Sequence, residues 1–116
     1  MEDYLSVQMR DYQREVFSVL LLDSKHQLLS YHELFQGSIN ETSVHPREVV
    51  KLVLGKNAAA VIVAHNHPSG VADPSSSDIA ITHKLRSALG LIDIPLLDHF
   101  IIGRGEITSL AEQGKM

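Results

Sequence analysis

Apolar residues in this chain come in short blocks separated by polar or Gly/Pro-rich stretches. Val16 to Leu22 is apolar enough for a strand, and Asp23-Ser24-Lys25 reads as a turn. Gln27 to Gln36 predicts a second strand paired with the first, and Gly37 to His45 a loop. Pro46 suits the first turn of a helix, in which Val49, Val50, Val53 and Leu54 keep helical spacing up to Gly55. Ala58 to Ala64 predicts a buried central strand. A Pro-, Ser- and Gly-rich stretch follows, then a helix from about Ser75 to Leu89 with Gly90 just past its end. Ile92 to Leu97 leads into a strand through Phe100-Ile101-Ile102. Gly103 to Glu106 is a hairpin turn, and Ile107 to Leu110 a short last strand. Residues 1–14 have mixed polarity and read as a leader or short helix, ahead of a domain over 15–116. The order predicts an α/β fold, a mixed sheet with helices on its faces.

The chemistry concentrates in residues 65–78, His-Asn-His-Pro-Ser-Gly-Val-Ala-Asp-Pro-Ser-Ser-Ser-Asp. In an extended chain residues i and i+2 point the same way, so His65 and His67 face one side and Asn66 the other. A carboxylate returning after a tight loop, Asp78, completes an N, N, O donor set. A catalytic zinc site keeps three protein ligands and leaves a fourth position for water. Ser75 with Asp78 also fits the Ser-x-x-acid box that opens helices, so on spacing alone both can be caps.

His65-Asn66-His67-Pro68, Pro74-Ser75 and Asp78 resemble the JAMM signature of the MPN (JAB) metalloenzymes. The fuller wording Ala64 to Gly70, with Pro46 to Val50, Leu97-Asp98-His99 and Ser109 to Glu112, resembles the bacterial RadC branch. The resemblance covers most of the chain from about Glu15. It implies a cytidine-deaminase-like JAB/MPN sheet, zinc held by His65, His67 and Asp78, and Ser75 assisting an oxyanion. It also implies an upstream catalytic glutamate at the entrance to the first strand. Glu15 fits that place, and Glu33, in the next strand, is the competitor. The implied reaction is hydrolysis of a peptide or isopeptide bond by metal-activated water, with Glu15 moving the proton. His26, His32, His45 and His83 read as surface residues. Asp98-His99 reads either as a carboxylate orienting an imidazole near the metal or as a satisfied polar pair.

Composition narrows the rivals. The 116 residues contain no cysteine, which excludes a thiolate zinc site and the His-x-Glu…Pro-Cys-x-x-Cys pattern of zinc deaminases. No apolar run approaches the roughly 18 residues that span a membrane, and the start lacks a signal-peptide pattern, so a cytoplasmic location is expected. A formal net charge of −4 and scattered Lys51, Lys56, Lys84 and Arg86 give no basic stripe. Nucleic acid is therefore not an expected partner of this domain, despite the repair label attached to the RadC branch. That branch often carries a helix-hairpin-helix-like N-terminal region, which this sequence does not show. A peptide or protein substrate is expected, and a homodimer is the default assembly. The alternatives are a non-catalytic MPN-like interaction module and a DNA-processing nuclease or repair-associated factor.

Overall fold

The structure, a computed structural model, describes residues 1–37, 39 and 42–116. The expected loop from Gly37 to His45 includes residues 38, 40 and 41, which lie outside the described residues. The elements are α1 (Glu2–Met9), β1 (Val16–Leu22), β2 (Leu28–Gln36), α2 (Pro46–Gly55), β3 (Ala60–Asn66), α3 (Ser76–Gly90), β4 (Leu96–Ile102) and β5 (Ile107–Ser109). They form one mixed sheet in the order β2-β1-β3-β4-β5. β3 runs antiparallel to β1 and parallel to β4, and the other pairs are antiparallel.

β1 and β3 are buried along their whole length, because both sheet faces are covered. Phe17, Val19, Leu21, Val61 and Val63 point to one face, against Val49 and Val53 of α2 and Ile81, Leu85 and Leu89 of α3. Val16, Leu20, Leu22, Ala60, Ile62 and Ala64 point to the other, against Leu5 and Met9 of α1. The alternation is the period of two of a strand, and it assigns each residue near the site to a face. Each fully buried Leu or Ile contributes roughly 1.5–3 kcal/mol. These layers therefore make a firm base for the polar end of β3.

Several boundaries differ from the sequence reading, most of all those of β3 and the end of α3. β3 starts two residues later than the apolar run and continues through Asn66, past the run's end at Ala64. Asn57 takes a left-handed turn (φ 53°), and the Ala58 N–H bonds back to Val53 of α2, which delays the strand. At the far end, pairing of His65 with Phe17 and Ile101, and of Asn66 with Ile102, carries the ladder into polar residues. Gly90 is the last helical residue of α3 rather than its stop. The left-handed residue is Asp93 (φ 57°), and the Ile94 N–H returns to the Leu89 carbonyl. Aspartate reaches this region more readily than most residues, so no glycine is required.

Candidate metal centre

β3 delivers His65 on the face that carries Val61 and Val63. His67 follows just beyond the strand, held by its own N–H on the Ile102 carbonyl (2.9 Å). The two rings meet edge to face, with centroids 4.8 Å apart. α3 begins beside them and brings in Asp78 from its first turn. Oδ1 of Asp78 lies 3.1 Å from His65 Nδ1 and Oδ2 lies 3.1 Å from His67 Nε2. One ligand atom from each of His65, His67 and Asp78 lies within 4.8 Å of the other two, so the trio can hold a metal ion. They line an open cavity of about 290 Å³ with Glu15, Ile39, Pro68, Ser69 and Ser75. A larger hollow of about 480 Å³ beside Tyr12, Arg14 and Glu33 has no such donor set.

The hydrogen bonds fit a cation. The Val71 carbonyl can only accept, so His67 Nδ1 donates to it (3.0 Å). A neutral His67 then turns the lone pair of Nε2 toward a carboxylate that also only accepts. A cation or an extra proton must sit between them. The Asp78 carboxylate accordingly raises the His67 pKa against the opposing effect of partial burial. His65 has its ring buried, and neither nitrogen has a hydrogen-bond partner. Its 3.1 Å approach to Asp78 is close enough for a hydrogen bond but wrongly angled for one. A buried nitrogen left this way costs about 1–3 kcal/mol, which a shared ion would relieve. Burial pushes the Asp78 carboxyl up. His65, His67 and the Ser75 N–H outweigh it and hold the carboxyl well below the usual range.

Ser75 is the N-cap of α3, and the capping box is complete. The Asp78 N–H donates to Ser75 Oγ (3.1 Å) and the Ser75 N–H donates to Asp78 Oδ2 (2.8 Å). The cap uses the oxygen of Ser75 only as an acceptor. Capping therefore leaves its O–H proton to donate elsewhere at the cavity wall. The carboxylate also sits where a helix N-terminus favours negative charge.

Glu15 immediately precedes β1. Its Oε2 accepts the Ile39 N–H (2.7 Å) and lies 3.7 Å from His65 Nε2. Glu33 is elsewhere: its Oε2 takes the hydroxyls of Tyr12 and Tyr31, and it lines the other hollow. His26, His45 and His83 are exposed and His32 is half-buried, none of them at the cavity. Asp98 does not orient the His99 ring. Its carboxylate binds Ser109 Oγ and the His99 and Ala111 N–H groups. His99 is instead fully buried and its Nδ1 donates to Thr82 Oγ1 (2.6 Å), whose hydroxyl proton goes to the Asp78 carbonyl (2.7 Å). Burial, helped by nearby His65, pushes the His99 imidazole down to about 3. The sequence reading missed Thr82 and the Val71 carbonyl. Only the i, i+4 spacing of Asp78 and Thr82 on one helix hinted at the first.

The loop between His67 and α3 is pinned from outside. The Arg104 N–H donates to the Gly70 carbonyl (3.1 Å), and the Ala72 N–H to Glu106 Oε1 (2.8 Å). Gly70 takes a left-handed φ of 93°, which an L side chain rarely adopts.

The family model for the RadC-like JAB domain matches residues 1–115. The chain belongs to the RadC-like JAB domain family. A UPF0758 protein, IL0240, of Idiomarina loihiensis is 60% identical over 113 residues, covering 97% of this chain and 50% of that protein. A UPF0758 protein of Cellvibrio japonicus is 60% identical over 112 residues, with 97% and 50% covered. UPF0758 protein Pfl01_5539 of Pseudomonas fluorescens is 59% identical over 114 residues, with 98% and 51% covered. The chain thus spans about half the length of these relatives. Among the described residues no helix is long and apolar enough to cross a membrane.

Proposed function

We propose that this RadC-like JAB domain is a zinc-dependent hydrolase that cleaves a peptide or isopeptide bond. The observation that carries the reading is the joint position of a complete N, N, O donor set, a spare carboxylate and a spare hydroxyl around one open cavity. Two imidazoles and a carboxylate, with no thiolate in the chain, suit zinc. When bound, the zinc ion would supply Lewis acidity, lowering the pKa of water toward about 7 and polarising a carbonyl.

The chain's own residues do the rest. His65, His67 and Asp78 hold the ion, and the Val71 carbonyl keeps His67 in the tautomer that leaves Nε2 free to ligate. Glu15 accepts the proton of the attacking water and passes it to the leaving amine. Its tether to the Ile39 N–H aims one carboxylate oxygen. The Ser75 O–H donates to the oxygen on which negative charge develops.

Metal analysis joined to a panel of peptide and isopeptide substrates tests the proposal. We expect zinc to co-purify with the protein. Hydrolysis should disappear with His65→Ala and with a chelator. Glu15→Gln should keep the metal while lowering kcat by about 10²–10⁴-fold, the usual contribution of a positioned base. An unchanged rate in Glu15→Gln would show that another group is the base. Full activity in metal-free protein would remove the zinc reading altogether.

A further inference from the structure

We propose that Asn66, the residue between the two histidines, is the positioning residue for Glu15. It holds the backbone on both sides of that carboxylate. The inference rests on the reading of Glu15 as the base.

The backbone ladder between β1 and β3 ends at Phe17 and His65. Just ahead of Phe17 the Asn66 side chain takes over. Its Oδ1 accepts the Val16 N–H (2.7 Å), and its Nδ2 donates to the Arg14 carbonyl (2.9 Å). One primary amide therefore stands in for a peptide group of the neighbouring strand, and its two bonds straddle Glu15. The Arg14 carbonyl only accepts and the Val16 N–H only donates, which fixes the orientation of the amide. Asn66 is 2% exposed and Val16 3%, so a side chain that failed the Val16 N–H would leave a buried backbone donor unsatisfied.

The strand's alternation divides the labour. His65 and His67 face the cavity and Asn66 faces the other side, so the Asn66 side chain is turned away from the imidazoles. With Arg14 and Val16 fixed, Glu15 needs one more tether, which the Ile39 N–H supplies at 2.7 Å. Among uncharged side chains of this size, serine or threonine can offer one hydroxyl but cannot span both partners. Aspartate keeps the acceptor for Val16 and sets a second acceptor against the Arg14 carbonyl.

The test uses the zinc-loaded protein with Asn66→Ala and Asn66→Asp, beside Glu15→Gln. Zinc affinity, read by chelator competition, should stay within about threefold, because the ligands lie on the opposite face. Amide exchange at Ile39, measured in both metal-free and zinc-loaded protein, should speed by about tenfold or more as Glu15 lets go. On the substrate that the unmodified protein cleaves, kcat should fall about 10²-fold with KM little changed, the cost of roughly 1 Å of misplacement. If Asn66→Ala does not fold, Asn66→Ser takes its place. A lower melting temperature with unchanged Ile39 exchange and unchanged kcat would overturn the inference, reducing Asn66 to a structural role. If Glu15→Gln also keeps its rate, the base assignment has failed instead. In that case the Ile39 exchange still decides whether Asn66 holds Glu15.

Discussion

Gly103 lies at the start of the turn between β4 and β5, far from the donor set in sequence, yet its replacement by alanine should disturb the candidate metal centre. A Cβ there would come closer than 3.0 Å to the Gly70 carbonyl oxygen, 3.1 Å from the Gly70 carbonyl carbon and 3.2 Å from the Ala72 nitrogen. All three are backbone atoms, so no side-chain rotation relieves the clash and the loop must move. Overpacking of this kind costs about 1–3 kcal/mol. For a domain of this size that lowers Tm by about 4–15 °C. The displaced segment includes Val71, whose carbonyl sets the tautomer of His67. Losing such an outer partner typically weakens metal binding by about 10–100-fold. Gly105→Ala is the control. A Cβ there meets nothing within 4 Å, and its effect should stay within about 0.5 kcal/mol. Urea denaturation and zinc competition on both variants decide the matter. If the two behave alike in stability and in zinc affinity, the close approach of Gly103 to Gly70 does not hold the loop.

The capping role of Ser75 and its proposed oxyanion role can be separated by choice of substituent. Ser75→Ala should cost about 1 kcal/mol of stability and Ser75→Gly only a few tenths, since glycine is a tolerable N-cap. Both should lose the oxyanion donor and about 10²–10³ in kcat; a fully active Ser75→Gly would show that the hydroxyl only caps. His99 makes a pH prediction. Its folded pKa, about 3, lies below the ordinary 6.5, so the unfolded chain binds the proton first and stability falls as pH drops below 6.5. From pH 7.5 to 5 this amounts to about 2 kcal/mol, and the metal-free His99→Gln variant should show a correspondingly shallower decline in urea melts; equal declines would refute it. Zinc at 100 times its Kd should stabilise the protein by about 2.7 kcal/mol, and Asp78→Asn should abolish most of that gain in a thermal melt.

Residues 65–78 show how much of the site was legible in the chain. The two histidines announced themselves through strand periodicity, and Asp78 through a helix-start pattern. That pattern also read as a simple cap, and the structure reconciles the two because Asp78 Oδ2 takes the Ser75 N–H while Oδ1 faces His65. The boundaries of β3 were harder to place. Hydropathy fades at Ala64, whereas the ladder runs on through polar residues that are buried by their neighbours. Asp98 stayed open between two readings. Adjacency in sequence suggested a pair with His99, but neighbouring residues of a strand point to opposite faces.

The alternating apolar blocks, hence the layered α/β fold, and the donor types that a metal would need can all be read along the chain. Those properties are local, since period, turn chemistry and functional groups are written residue by residue. It took the packed fold to put Glu15 and not Glu33 at the cavity, to reach Asn66 across to the chain around Glu15, and to back the loop with Gly103. Each of these depends on where strands far apart in sequence are laid side by side, and pairing of that kind follows from the burial of the whole sheet rather than from any one segment.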